Sequence, residues 1–133
     1  MNVNTTLRVA RPTYSIESLL RFYRDGLGLV VIGSFQDHEG FDGLMLGMPG
    51  ASYHLEFTCK RGHHPDRAPM QDNLLVFYLP DNAEWQAAID RMVAHDYEPK
   101  ASFNPYWDIS GRTFEDPDGY RVVLQNGSWS TNK

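Results

Sequence analysis

Phe114-Glu115-Asp116-Pro117-Asp118-Gly119-Tyr120 decides how the second half of this chain is read. Its centre, Asp116-Pro117-Asp118-Gly119, is turn chemistry: carboxylates that bond nearby backbone, a proline that presets φ, and a glycine free to turn. The residues that follow, 120–125, alternate into a strand. Weaker strand signals over 111–115 and 98–103 precede the turn, and a helix precedes those. Asp81, with Glu84 three places on, resembles a capping box in which Asp replaces Ser or Thr. Trp85, Ala88, Ile89, Met92 and Val93 recur at i, i+3, i+4, i+7 and i+8, so one apolar stripe runs along this helix until about Asp96, before Pro99. Ahead of it, residues 73–79 read Asn-Leu-Leu-Val-Phe-Tyr-Leu and predict a buried strand.

The first half has the same order. Residues 6–12 predict a short strand, and Ser15 offers an N-cap to a helix whose Ile16, Leu19, Leu20, Tyr23 and Leu27 share helical spacing. Gly26 and Gly28 supply the stop. Three strands are expected over 29–35, 42–48 and 53–59, separated by Gly40 and by Pro49-Gly50. A loop rich in Arg, His, Asp and Pro, residues 60–72, then joins the halves. Strand, helix and three strands thus occur twice, at a period of about 65 residues, with negligible identity between the copies. Each copy covers one sheet face with its helix and leaves the other face to be buried or to line a cavity.

Composition narrows the function classes. At 133 residues, 41% hydrophobic and 22% charged, the chain has the make-up of a globular domain with its own core. Twelve Lys and Arg against 17 Asp and Glu give a net charge of −5, unsuited to neutralising nucleic-acid phosphates. The apolar runs, 27–32 and 74–79, are too short to span a bilayer, and residues 1–8 lack a signal core. One cysteine, Cys59, excludes an intramolecular disulfide and a cysteine-rich zinc site. A cytoplasmic protein without nucleic-acid or membrane partners is expected.

The doubled order and two signatures, Phe22-Tyr23 with Gly26-Leu27-Gly28-Leu29 and Phe114 to Tyr120, resemble the vicinal oxygen chelate superfamily. That group includes glyoxalase I, the extradiol dioxygenases, the fosfomycin-resistance enzymes and the bleomycin-binding proteins. The resemblance spans nearly the whole chain and implies an α+β fold of two βαβββ modules in tandem, their mixed sheets curled around a central cavity. It implies one domain over residues 1–133, with module one at about 5–60, a linker loop at 61–72 and module two at about 73–127. It also implies a homodimer, the commonest closed assembly.

Enzymes of this superfamily hold a divalent metal at four recurrent positions, and the resemblance carries each onto a residue here. The first, normally His, falls on Arg8, 14 residues before Phe22. The second, Glu or His, is matched by Glu56 in His54-Leu55-Glu56-Phe57. The third, commonly His, falls on Asn73, and the fourth, normally Glu, on Val123. Arginine cannot ligate a cation, an amide oxygen is a weak donor and valine offers none. No metal site is therefore expected. If Arg8 and Glu56 share a cavity, they would pair as guanidinium and carboxylate in the metal's place, leaving Arg8 able to hold an anionic group.

Other residues carry two readings each. His54, two places from Glu56 and so on the same strand face, is a rescuing ligand, an acid–base group, or a histidine packed at the cavity wall. His63 and His64 belong to a lid or to an exposed connection. Tyr106 and Trp107, with Asp108, form the floor of an apolar pocket or an aromatic plug. Arg121 and Gln125 share the face of Val123, lining the cavity or facing outward at the rim. Cys59 has no His-plus-acid partner legible in sequence and reads as packing.

The expected function is that of a metal-independent small-molecule-binding protein of the glyoxalase and bleomycin-resistance type. Arg8, His54, Glu56, Asn73, Tyr106, Trp107, Arg121 and Val123 are its candidate ligand-binding residues, and Glu56 is the candidate general base of any reaction. The ligand is a small organic molecule, anionic or neutral and polar. The alternative is a metal-dependent glyoxalase-like lyase whose rearranged site uses Glu56 with His54 or a loop histidine.

Overall fold

The computed structural model describes residues 1–129, which divide into two compact units meeting in sequence between Asp66 and Arg67. In the first, strand β1 (Leu7–Pro12) leads into helix α1 (Ile16–Leu19), continued by a π-helical segment (Leu20–Gly26). Strands β2 (Val30–His38), β3 (Phe41–Gly47) and β4 (Tyr53–Lys60) follow. They form a mixed sheet in the order β1-β4-β3-β2, with β1 parallel to β4 and the other pairs antiparallel.

Ser15 caps α1 by accepting the Ser18 N–H. The regular helix expected beyond it opens into a π-helix, closed by the Leu27 N–H donating to the Phe22 carbonyl at 2.9 Å. The wider turn changes which residues point inward. Leu19, Phe22 and Tyr23 are fully buried, whereas Leu20 and Leu27 of the expected stripe are only half-buried. Tyr23 packs on Phe57 of β4 with ring centroids 4.8 Å apart. Each such side chain removed from water contributes about 2–3 kcal/mol. Leu55 and Phe57 therefore mark the helix-facing side of β4, and alternation puts His54, Glu56, Thr58 and Lys60 on the other side.

In the second unit, β5 (Leu74–Tyr78) precedes α2 (Asn82–Ala94), the short α3 (Tyr106–Ile109), β6 (Gly111–Glu115) and β7 (Arg121–Gln125). The sheet order is β5-β7-β6, with β5 parallel and β6 antiparallel to β7. Asp81 caps α2 by accepting the Glu84 N–H at 2.9 Å. Ile89 and Met92 are buried, and the Trp85 indole N–H donates to the Leu124 carbonyl at 2.8 Å. The strand expected over 98–103 reduces to a single bridge, Lys100 with Thr113 on β6. Arg121 donating to the Ala101 carbonyl, the Ser102–Thr113 hydroxyl pair and Asp108 accepting the Ser102 N–H replace further ladder bonds there. Strand β5, expected to be buried, is half-buried because it has a ladder partner on one side only.

The turn at 116–119 is built as its residues predict. Asp116, 3% exposed, accepts the N–H groups of Asp118 and Tyr120, and Gly119 adopts φ +91°. Both sheets are mixed and neither is closed, giving an α+β fold of two modules. Among the described residues no helix is long and apolar enough to cross a membrane.

Candidate functional site

Parallel pairing of β1 with β4 sets Arg8 opposite His54 and Ala10 opposite Glu56. Arg8, His54 and Glu56 consequently share the sheet face turned away from the helix. The Arg8 Nε donates to His54 Nε2 at 2.8 Å and its Nη1 to Glu56 Oε2 at 3.2 Å. A guanidinium only donates, so His54 Nε2 is the acceptor in this contact. Glu56 is largely covered, at 16% side-chain exposure, whereas Arg8 keeps 49%. The cation is thus tethered at its base by two acceptors while part of the guanidinium stays accessible. That arrangement can receive an oxyanion at its open edge, a geometry arginine favours because its donors form a planar fork.

These residues do not fit a divalent metal. The His54 Nε2 lone pair and one Glu56 oxygen already accept from Arg8, whose positive charge lies beside both and would repel a cation. Among the described residues no three or more His, Cys, Asp or Glu side chains group to hold a metal ion.

The remaining candidates lie in the second unit. Asn73 is exposed immediately before β5, its N–H closing a turn on the Met70 carbonyl. Val123 is fully buried in β7, and its Cγ1 packs against Gly111. Arg121, 6% exposed, donates to the Ala101 carbonyl at 3.0 Å and to Glu115 at 3.4 Å. Buried to that degree it does not face outward at the rim, and both bonds commit the guanidinium within its own unit. Gln125 shares that face, with its Oε1 buried and unpaired.

Tyr106 and Trp107 lie on α3 in an edge-to-face pair, centroids 5.0 Å apart. Trp107 lines a concavity of about 510 Å³ with Phe103, Leu74, Pro105, Asn104 and Asp72. Tyr106, 58% exposed, is absent from that lining. Asp108 does not reach toward a ligand; it accepts the Ser102 N–H and pins the loop. The Asn104 side chain accepts the Tyr106 N–H, which starts the helical turn that aims Trp107. In the linker, His64 stacks on Tyr14 at 4.7 Å, and His63 borders a second concavity, in the first unit, with Lys60, Thr58 and Phe41. Those three were not singled out from sequence. Only the strand register, which places Phe41 opposite Lys60, brings them together.

Known proteins resemble this chain along nearly its full length. The YycE-like N-terminal domain family matches residues 7–58 and the YycE-like C-terminal domain family residues 72–126. An uncharacterized YycE protein of Bacillus subtilis (strain 168) is 44% identical over 127 residues, covering 96% of this chain and 91% of its own length. The crystal structure of a YycE protein of unknown function from the same organism superposes with a TM-score of 0.89 at 43% identity, covering 98% of this chain and 95% of the other. More distant matches share the fold alone. Trypanothione-dependent glyoxalase I of Leishmania major gives a TM-score of 0.72 at 19% identity over 92% of this chain and 86% of the other. The fosfomycin-resistance protein FosX of Mesorhizobium loti gives 0.68 at 9% identity over 91% and 90%. Two tandem modules, each with its first strand parallel to its last, and matches over both halves lead to one assignment: the chain belongs to the YycE-like family, within the vicinal oxygen chelate superfamily.

Proposed function

We propose that this protein binds a small organic molecule, in the manner of the glyoxalase and bleomycin-resistance type, without a metal. One observation carries the reading: the Arg8 guanidinium bridges His54 and Glu56, putting fixed positive charge at two of the four positions that the resemblance assigns to metal ligands. Arg8 receives the polar or anionic end of the ligand, and Glu56 and His54 hold Arg8 in place. Of the second unit's candidates Asn73, Tyr106, Trp107, Arg121 and Val123, Trp107 lines a concavity of that unit, while Arg121 and Val123 lie in its interior. Should the ligand be turned over, Glu56 is the group with a lone pair free to take a proton, its Oε1 making no hydrogen bond to Arg8. The protein is further proposed to act as a cytoplasmic homodimer.

Metal analysis tests this directly. Purified protein is incubated with zinc, nickel, manganese or iron, desalted and analysed for bound metal. Substoichiometric metal in every case is the expected result, and a thermal-shift screen of small organic acids should then find a stabilising ligand whose effect is lost in Arg8→Met. About one metal per chain, lost in Glu56→Ala, overturns the reading in favour of a metal-dependent lyase using Glu56 and His54. Elution as a monomer in gel filtration at micromolar concentration overturns the dimer.

A further inference from the structure

The sheet face that carries Arg8 continues past Glu56 to Thr58 and Lys60, about 13 Å further along β4 at roughly 3.3 Å per residue. There Pro12 of β1, Phe41 of β3 and Pro65 of the linker wall a concavity of about 220 Å³, and Thr13, Thr58, Lys60 and His63 supply its polar groups. We propose that this concavity is a second binding site, one that takes a small flat apolar body bearing a carboxylate or phosphate.

Three observations carry it. First, the polar lining is basic and hydroxylic, with no acidic side chain on it. This runs against a chain of net charge −5, and residues 60–64 read Lys-Arg-Gly-His-His without an acid. Second, the positive charge is uncommitted. Among the described residues the Lys60 and His63 side chains have neither hydrogen bond nor ion pair. Arg61, beside them, is spent on Asp42 at 2.9 Å and Asp37 at 3.5 Å. Third, the turn is fixed in advance. The Arg61 N–H donates to the Gly40 carbonyl at 2.9 Å, the His63 N–H to the Lys60 carbonyl at 3.0 Å, and Gly62 turns the chain at φ +78°. His64 is held on Tyr14. A ligand therefore does not have to order the loop before meeting Lys60 and His63, which removes a usual cost of binding.

The volume admits one ring or a short branched chain, below the usual range for drug-sized ligands. Phe41, 38% exposed, offers the apolar surface that such a body would cover. This site does not depend on the role proposed for Arg8, and Arg8→Met distinguishes the two.

The test is proton NMR of the histidine side chains during titration with phenyl phosphate and, separately, benzoate. At least one should shift the His63 signals saturably, with affinity weakened about tenfold or more in Lys60→Met and unchanged in Arg8→Met. Benzylamine, the same ring with the opposite charge, should shift nothing at this site. Absence of a saturable His63 shift with both anions overturns the proposal, as does wild-type affinity in Lys60→Met. Inorganic phosphate binding as tightly as phenyl phosphate overturns the role given to the apolar walls. If Lys60→Met does not fold, Lys60→Gln, which keeps a polar end at the same place without the charge, replaces it with the same expected loss read on the His63 signals.

Discussion

The two units use one topology for opposite ends. In each, the first strand lies parallel to the last, so positions on β4 and β7 correspond by register. His54, opposite Arg8, corresponds to Arg121, opposite Leu74; Glu56, opposite Ala10, corresponds to Val123, opposite Val76. In the first unit these positions hold a hydrogen-bonded charge cluster, partly accessible at Arg8. In the second they hold a fully buried valine and an arginine consumed by Ala101 and Glu115. The backbone plan says where side chains on this face will stand; the residue type alone decides whether they meet a ligand or their own chain.

Exchanging the two characters puts the largest strain on the comparison. Val123→Glu places a carboxylate at a site with no exposure and should destabilise the protein by several kcal/mol, whereas Glu56→Val should cost about 1 kcal/mol because half-exposed Arg8 can turn to water. Urea denaturation of both variants decides this, and equal losses would break the contrast.

Gly111 probes how tightly the second unit is closed. A Cβ there would lie 2.5 Å from the Trp107 carbonyl and 2.5 Å from Gln125 Oε1. Because the first is backbone and cannot swing away, Gly111→Ala should lower stability by about 2 kcal/mol. Thermal unfolding at wild-type temperature would show that α3 shifts freely, and with it the Trp107 wall.

The arginines should differ more modestly. Arg121→Met strands the Ala101 carbonyl and should cost about 1–3 kcal/mol, while Arg8→Met should cost less than about 1 kcal/mol and act on ligand binding instead. Chemical denaturation alongside the thermal-shift screen separates the two effects.

The smallest expected effect concerns the Arg61 clamp of the first unit. Hydrogen bonds from Arg61, and then from the Asp37 N–H, hold the exposed Asp42 carboxyl below its usual range. A depressed folded-state value means the contact is fully present above the unfolded carboxylate value of about 3.9 and is lost as pH falls through the folded one. The Asp37 amide resonance should accordingly stay fixed from neutrality to about pH 4 and move only below it. Movement at pH 5–6 would contradict that assignment.

Much of this was legible where chemistry is local. Ser15 and Asp81 announce their helices because a cap needs only its own next three residues. Asp116 and Gly119 announce their turn for the same reason. Arg8 and Glu56 were paired through a resemblance, and the parallel β1–β4 register brings them within 3.2 Å. What sequence did not convey depends on distant partners. The π-helical turn that moves Phe22 inward leaves the same apolar spacing as an α-helix. The segment 98–103 has strand-like residues, yet side-chain bonds from Arg121 and Thr113 take the place of a ladder. Phe41, Thr58 and Lys60 look unremarkable until register aligns them.

The pairing of first strand with last also fixes an order of events during folding. Arg8 and His54 are 46 residues apart in sequence, so the ladder between β1 and β4 cannot form until the whole first unit is present. The helix and the β2–β3–β4 meander involve nearer neighbours and are free to form sooner, since loop-closure entropy delays the distant pairing. On a ribosome, β1 would wait unpaired until β4 emerges. The charge cluster of Arg8, His54 and Glu56, which straddles that last seam, is then expected among the final contacts of its unit to assemble, and its integrity would report that the first unit is complete.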